Sequence, residues 1–222
     1  MDIRGFTVGP VQENTYLLRR DAEATSGVLV DPGDEAERLL GTLSELGVTL
    51  DAILLTHTHF DHVGAVAPVA TATGVPVYCP ELEVDRLANI MEHVRWEGIG
   101  PFDSWDAEET VAGGEHLHLA GFHIDVLFTP GHSPGHVTYA FAPDPAHPEI
   151  PTVLAAGDVL FQNSIGRTDL PGGDHATLLA SIAGLLERFE PETVVLPGHM
   201  GTTTLGAERA SNPFLQDLPA AS

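Results

Sequence analysis

Thr56-His57-Thr58-His59-Phe60-Asp61-His62 sets three imidazoles and a carboxylate within six residues, directly behind the apolar run Ala52-Ile53-Leu54-Leu55. A short, unbroken apolar run reads as a buried strand, so the histidines fall on the loop at its C-terminal end. In open α/β architectures that edge is where ligands and metals collect. Groups that bind metal through N or O, gathered on one tight turn, can converge on one or two ions. Histidine is frequent in the chain, 12 of 222 residues, so chance must be weighed. H-x-H-x-D-H arises by accident on the order of once in a few hundred such chains. The plainer alternative is a polar turn carrying an exposed histidine cluster.

Three later segments repeat the pattern of strand followed by turn. Phe122-His123-Ile124-Asp125-Val126-Leu127-Phe128-Thr129 alternates as a strand and breaks at Pro130-Gly131-His132-Ser133-Pro134-Gly135-His136. Thr152-Val153-Leu154-Ala155-Ala156 ends at Gly157-Asp158, and Thr193-Val194-Val195-Leu196 ends at Pro197-Gly198-His199. Each time, a glycine-bearing turn presents a His or Asp; glycine permits the sharp backbone path that aims such a side chain outward. The candidates are His57, His59, Asp61, His62, His132, Asp158 and His199. Any one of the last three could be an ordinary turn or cap residue. Their recurrence at successive strand ends argues for a common purpose.

Composition narrows the function classes. A chain of 222 residues is long enough to bury a real core as one domain or a compact pair of half-domains. The single cysteine, Cys79, excludes a disulfide framework and fits a reducing cytoplasm. No signal-like N-terminus and no membrane-length apolar run is present. A formal charge of −23, with nine basic residues and no lysine, argues against nucleic acid or an anionic membrane as partner.

Periodicity predicts strands near Asp2–Val8, Asn14–Arg20, Gly27–Val30, Ala52–Leu55, His116–Leu119, Phe122–Phe128, His136–Phe141, Thr152–Ala155 and Val194–Leu196. Helices are expected over Glu35–Leu46, Val63–Thr73, Glu81–Arg95 and Ala176–Phe189, the last capped by Asp174. His93 reads as a surface histidine, and His147 as solvated in the Pro-broken loop Asp144-Pro145-Ala146-His147-Pro148-Glu149. Strands in blocks with helices between them suggest an α/β fold with two sheets covered by helices.

These motifs resemble the successive metal motifs of the metallo-β-lactamase superfamily, from about Ile3 to the C-terminus. Within it the chain is similar to the short bacterial proteins of the glyoxalase II (hydroxyacylglutathione hydrolase) branch. Thr129 to His136, Gly166-Arg167-Thr168-Asp169-Leu170-Pro171-Gly172-Gly173-Asp174, and Glu208-Arg209 with Asn212-Pro213-Phe214-Leu215 carry that closer likeness. The resemblance implies an αββα sandwich, a single domain over residues 1–222 without a C-terminal helical extension, and a metal site at one edge between the sheets. It implies that His57, His59 and His132 hold one metal, that Asp61, His62 and His199 hold the other, and that Asp158 bridges them. Asp61 is expected to be catalytic as well as ligating. True β-lactamases of the superfamily usually lack the bridging carboxylate, and one group uses a cysteine ligand. Cys79 lies far from the corresponding motif, so an antibiotic-cleaving role is not expected.

The chemistry agrees with the resemblance. Two divalent ions, zinc with iron or manganese as substitutes, would lower the pKa of a shared water to give a bridging hydroxide that attacks a carbonyl. The oxyanion would form beside charge already in place. The expected substrate is a small-molecule thioester of the S-lactoylglutathione type, hydrolysed by a monomer or homodimer. The nearest rival is the mononuclear iron persulfide dioxygenase branch of the same superfamily. That branch shares the His-rich motif and Gly-Arg-Thr-Asp, but it tends to carry Cys where this chain has His136 and Pro-Ala-His where it has Pro197-Gly198-His199. His136 is read as orienting or structural. Arg167 could reach a substrate carboxylate with its planar fork, or pair internally with Asp169 to shape its loop.

Overall fold

The structure, a computed structural model, describes residues 1–94, 96–143, 146–147 and 149–218. Arg95, expected to end a helix, and Asp144, Pro145 and Pro148 of the Pro-broken loop lie outside the described residues. The chain divides into two compact units, residues 1–111 with 118–121, and residues 112–117 with 122–222.

The first unit is built on a six-stranded sheet of order β1-β2-β3-β4-β5-β6. Its strands are β1 (Asp2–Val8), β2 (Glu13–Arg19), β3 (Ser26–Val30), β4 (Thr49–Leu54), β5 (Val77–Pro80) and β6 (Glu109–Val111). β1 to β3 pair antiparallel, while β3 to β6 run parallel. Parallel pairs need crossover connections, and helices supply them: α1 (Ala36–Leu46) between β3 and β4, then α2 (Phe60–Val63) and α3 (Val66–Thr73) between β4 and β5. Leu39 and Leu43 of α1, Val66, Val69 and Ala70 of α3, and Leu29, Ile53 and Val77 of the sheet form one buried cluster. Burying a Leu, Ile or Val side chain contributes about 1.5–3 kcal/mol, so this cluster holds α1 and α3 against the sheet.

Two expected helices are interrupted. The helix expected over Val63–Thr73 begins only at Val66 as α3, and Val63 instead ends the separate α2, with Gly64-Ala65 between them. Glu81–Arg95 becomes a 3-10 turn (Glu81–Glu83) followed by α4 (Val84–Ala88) and α5 (Ile90–His93). The break falls at Asn89, whose φ is −131° and whose amide donates to the Asp85 carbonyl at 3.0 Å. An amide side chain bonding backbone in this way competes with helix continuation.

The second unit contains a six-stranded mixed sheet of order β14-β13-β10-β9-β8-β7. Its members are β7 (His116–Leu119, whose last two residues are counted with the first unit), β8 (Phe122–Phe128), β9 (Val137–Phe141), β10 (Val153–Gly157), β13 (Val194–Pro197) and β14 (Thr203–Thr204). A hairpin of β11 (Leu160–Phe161) and β12 (Ser164–Ile165) leaves the end of β10. Helix α6 (His175–Arg188) starts at Asp174, which accepts the Thr177 N–H at 2.7 Å as the expected cap. It buries Leu178, Ile182, Leu185 and Leu186 against Leu154 and Val195, the spacing of one helical face. The short α7 (Leu205–Ser211) closes this unit. Among the described residues, no helix is long and apolar enough to cross a membrane.

Candidate metal centre

In the first unit the residues of the His-rich segment lie just beyond the end of β4, with His59 as the residue before α2. His57 and His62 are buried, and their ring centroids are 4.1 Å apart. His57 Nε2 and His59 Nδ1 stand 3.1 Å apart. Two nitrogens bound at 2.0–2.1 Å in a tetrahedral site would be separated by roughly 3.3 Å, so this pair fits one ion. His62 Nε2 lies 4.0 Å from Asp61 Oδ2.

Asp31, which sequence reading missed, orients these rings. Because β3 and β4 are parallel and Val30 pairs with Leu54, the residue after β3 emerges beside the segment that follows β4. Asp31 Oδ1 accepts the Thr56 N–H at 2.7 Å; Oδ2 accepts the Thr56 hydroxyl at 2.6 Å and the His62 Nδ1 proton at 3.0 Å. The single hydroxyl proton of Thr56 is thereby committed to Asp31. Its contact with His57 Nδ1 at 3.1 Å must then be an Nδ1–H donating to Thr56 Oγ1. In both His57 and His62 the lone pair is therefore on Nε2, the atom that faces the other site residues. Asp31, His57 and His62 bring potential ligand atoms within 4.8 Å of one another, but the Asp31 oxygens are already engaged, which makes that residue the orienting partner.

A second buried carboxylate, Glu13, stands behind His62 with Oε1 3.8 Å from Nδ1. Burial pushes its carboxyl well above the usual range, opposed in part by the adjacent His62. Thr58, between the two ligand-type histidines, donates to buried Glu83 at 2.8 Å. The turn is also locked from beneath. A Cβ at Gly33 would fall 1.7 Å from the Asp61 carbonyl oxygen, so only glycine allows the chain after β3 to pass this close to α2. Val30-Asp31-Pro32-Gly33 is itself a strand followed by a turn; that signal could have revealed Asp31.

In the second unit, parallel pairing again sets neighbours. β10 pairs with β13, Gly157 opposite Pro197, and the Gly198 N–H donates to the Gly157 carbonyl at 2.8 Å. Asp158 and His199 thus leave adjacent strand ends, with His199 Nε2 3.6 Å from Asp158 Oδ2. His132 Nε2 approaches the same oxygen at 3.5 Å. The turn bearing His132 is tied to the start of α6 through the Asp174 N–H and the Gly131 carbonyl, 2.8 Å apart. His132 donates its Nδ1 proton to the Arg167 carbonyl at 2.8 Å, which leaves the Nε2 lone pair directed at a carboxylate. Two acceptors facing each other in this way suit a bound cation. An imidazole and carboxylate donor set of this kind accepts zinc, iron or manganese.

His136 differs from the ligand candidates. The Asp158 backbone N–H donates to its Nε2 at 3.2 Å, and its Nδ1 bonds Thr129 Oγ1 at 3.1 Å. Both nitrogens serve the fold, as expected for a residue that orients another. Arg167 makes a bidentate pair with Asp169, both contacts 2.7 Å. That pair holds the Asp169 carboxyl down at about 2. The internal pairing is the arrangement observed, and Arg167 reaches His132 through its backbone carbonyl. His93 is exposed, and His147 bonds Glu149 at 3.2 Å on the surface.

Comparison with known proteins places these observations in context. Residues 8–199 match the family described as the metallo-beta-lactamase superfamily. The hydroxyacylglutathione hydrolase GloC of Haemophilus influenzae is 37% identical over 97% of this chain and 98% of its own length. A solved structure described as the BLEG-1 B3 metallo-beta-lactamase is 40% identical and superposes with a TM-score of 0.87, covering 97% of this chain and 100% of that one. Another, TTHA1623 in a di-iron-bound form, is 43% identical with a TM-score of 0.80, covering 96% and 100%.

Proposed function

The chain belongs to the metallo-β-lactamase superfamily, with its α/β fold and its metal-dependent hydrolase chemistry, and from that premise we propose that it hydrolyses small-molecule thioesters of the S-lactoylglutathione type at a dinuclear centre. In this reading His57, His59 and His132 hold one ion and Asp61, His62 and His199 the other, with Asp158 shared. The observation that supports it most directly is the common hydrogen bonding of His57, His62 and His132. Each gives its Nδ1 proton to an oxygen and keeps Nε2 for a ligand. The similarity to GloC supports a thioester as substrate. Zinc is the proposed metal; the di-iron form of TTHA1623 supports iron as an alternative.

When bound, two divalent ions would activate water near neutral pH and polarise the carbonyl under attack. The residues around them prepare that chemistry. Asp31 holds His62 directly and His57 through Thr56, while the Arg167 carbonyl holds His132, so these three rings are already oriented before metal binds. The Asp158 backbone is held by His136, which keeps the shared carboxylate at the end of β10. A thiolate leaving group needs little protonation, so no dedicated general acid is required. Arg167 and Asp169 are solvent-exposed, and such a pair is readily exchanged; a substrate carboxylate can take the place of Asp169 on the guanidinium. The formal charge of −23 disfavours polyanionic partners such as nucleic acids.

Thiol release from S-lactoylglutathione by metal-loaded protein, measured with and without oxygen, tests the proposal. Equal rates are expected, with a high KM because the chain has no lysine for a basic glutathione clamp. Persulfide-dependent oxygen uptake by iron-loaded protein, with no anaerobic cleavage of any thioester, would overturn it in favour of a dioxygenase. A penicillin and a cephalosporin serve as comparison substrates, given the similarity to BLEG-1; preferred turnover of either would also overturn it.

A further inference from the structure

Phe60 is the one apolar residue in the segment His57–His62, lodged between two ligand candidates, His59 and Asp61. Consecutive Cα atoms are about 3.8 Å apart, so the backbone that carries its ring is part of the metal-binding turn. The ring stacks on Phe102 at 5.9 Å between centroids and tilts against Trp96 at 5.3 Å. Met91 joins the group through its sulfur, which accepts the Phe102 N–H at 3.3 Å. Phe102 packs onto the turn itself: a Cβ on Gly64, just after α2, would meet its Cε1 at 2.7 Å. Trp96 and Met91 nonetheless remain 48% and 42% exposed.

Single exposed apolar side chains need no explanation, but a contiguous group of them does. Aromatic rings and a thioether beside a few convergent polar groups are the usual lining of a small-molecule site. A free carboxylate, as on glutathione, gains nothing from aromatic rings and a thioether, which carry no cationic fork. An uncharged apolar group gains both burial and ring stacking. We propose that Phe60, Trp96, Phe102 and Met91 form the wall that receives the acyl group, so that thioesters with bulky apolar or aromatic acyl groups are preferred over small ones. The inference rests on the thioesterase reading above and narrows its substrate.

The test compares benzoyl and acetyl thioesters of N-acetylcysteamine. It also measures binding of the uncleavable thioether S-phenacyl-N-acetylcysteamine by calorimetry. The benzoyl-to-acetyl ratio of kcat/KM should exceed about ten and fall roughly tenfold in Trp96→Ala, the scale on which apolar pockets discriminate. Trp96→Phe should recover most of the ratio, and Phe214→Ala, at an exposed aromatic of the second unit, should not shift it. Thioether affinity should fall with the ratio. If thioesters are cleaved and neither ratio nor affinity responds to Trp96→Ala, the wall is wrong while the hydrolase reading stands. If no thioester is cleaved but the thioether binds and Trp96→Ala weakens it, the wall stands and the hydrolase reading falls. Neither cleavage nor binding would overturn both.

Discussion

The backbone N–H of Asp158 donates to Nε2 of His136 at 3.2 Å, so this histidine, though it lies in a strand-end turn like those of the ligand candidates, spends its lone pair on the peptide carrying a carboxylate. Removing it should loosen Asp158 without removing a ligand. Orienting partners of metal ligands are typically worth about 10–100-fold in affinity or activity, and that loss is expected for His136→Ala. His136→Gln, whose carbonyl oxygen can accept the same N–H, should recover part of it. His147→Ala, at an exposed residue paired with Glu149, should change kcat/KM by less than about twofold, as ordinary surface substitutions do. Parallel metal content and kcat/KM measurements decide the point; an equal loss at His147 would sink the assignment.

Elemental analysis of well-loaded protein should find two metal ions per chain. Chelation should abolish activity, and zinc, iron or manganese should restore it to differing degrees. Asp158→Ala should retain at most one ion stably and lose activity by several orders of magnitude. A single ion in the parent, kept unchanged by Asp158→Ala, is the result that excludes a dinuclear centre.

Gly33→Ala tests the close approach of two backbones. The new methyl would lie 1.7 Å from the Asp61 carbonyl oxygen, and neither chain can yield without moving α2. Overpacking of this kind costs about 1–3 kcal/mol. Thermal unfolding should show a Tm lower by several degrees, and the purified variant should hold less metal. An unchanged Tm with full metal occupancy would show that the turn has slack.

Buried Glu208 and Asn212 tie α7 and the residue after it to the hairpin that follows Asp158. Asn212 donates to the Ser164 carbonyl at 2.9 Å and to Glu208 Oε2 at 2.8 Å, and that same oxygen accepts the Asn163 N–H at 2.7 Å. Asn212→Ala leaves a buried carboxylate short of a donor, a change that costs about 1–3 kcal/mol. Urea unfolding should show a lower midpoint at unchanged slope.

Acid stability should carry a small signature of Asp169. Its folded pKa is depressed to about 2 from 3.8, chiefly by the hydrogen bonds from Arg167. A depressed carboxyl contributes stability that is fully present above the unfolded value and lost as pH falls through the folded one. The window is therefore pH 4 to 2, and Asp169→Asn should flatten the stability curve there. Because both side chains are exposed, added salt should shrink the effect. No difference between the parent and Asp169→Asn across that window at low salt would refute the assignment.

The metal chemistry was legible in the chain because it is written in local terms. His57, His59, Asp61 and His62 share one turn, and the turns bearing His132, Asp158 and His199 each follow an apolar run and contain a glycine. Helical spacing and an Asp174 cap announced α6, since both signals lie within one element. The break at Asn89 was not legible, because helix competes there with a side-chain hydrogen bond that residue type alone does not predict. The superfamily was legible through the resemblance those motifs carry, and the family match over residues 8–199 shows it. What only the tertiary structure decided is which group serves which. Asp31 lies 31 residues from His62 and meets it because β3 and β4 are parallel and in register. Asp158 and His199 meet through the same kind of pairing between β10 and β13. His136 and His132 are both buried histidines of one turn; whether a ring's lone pair faces a peptide N–H or a carboxylate depends on backbone paths that meet only when distant strands pack.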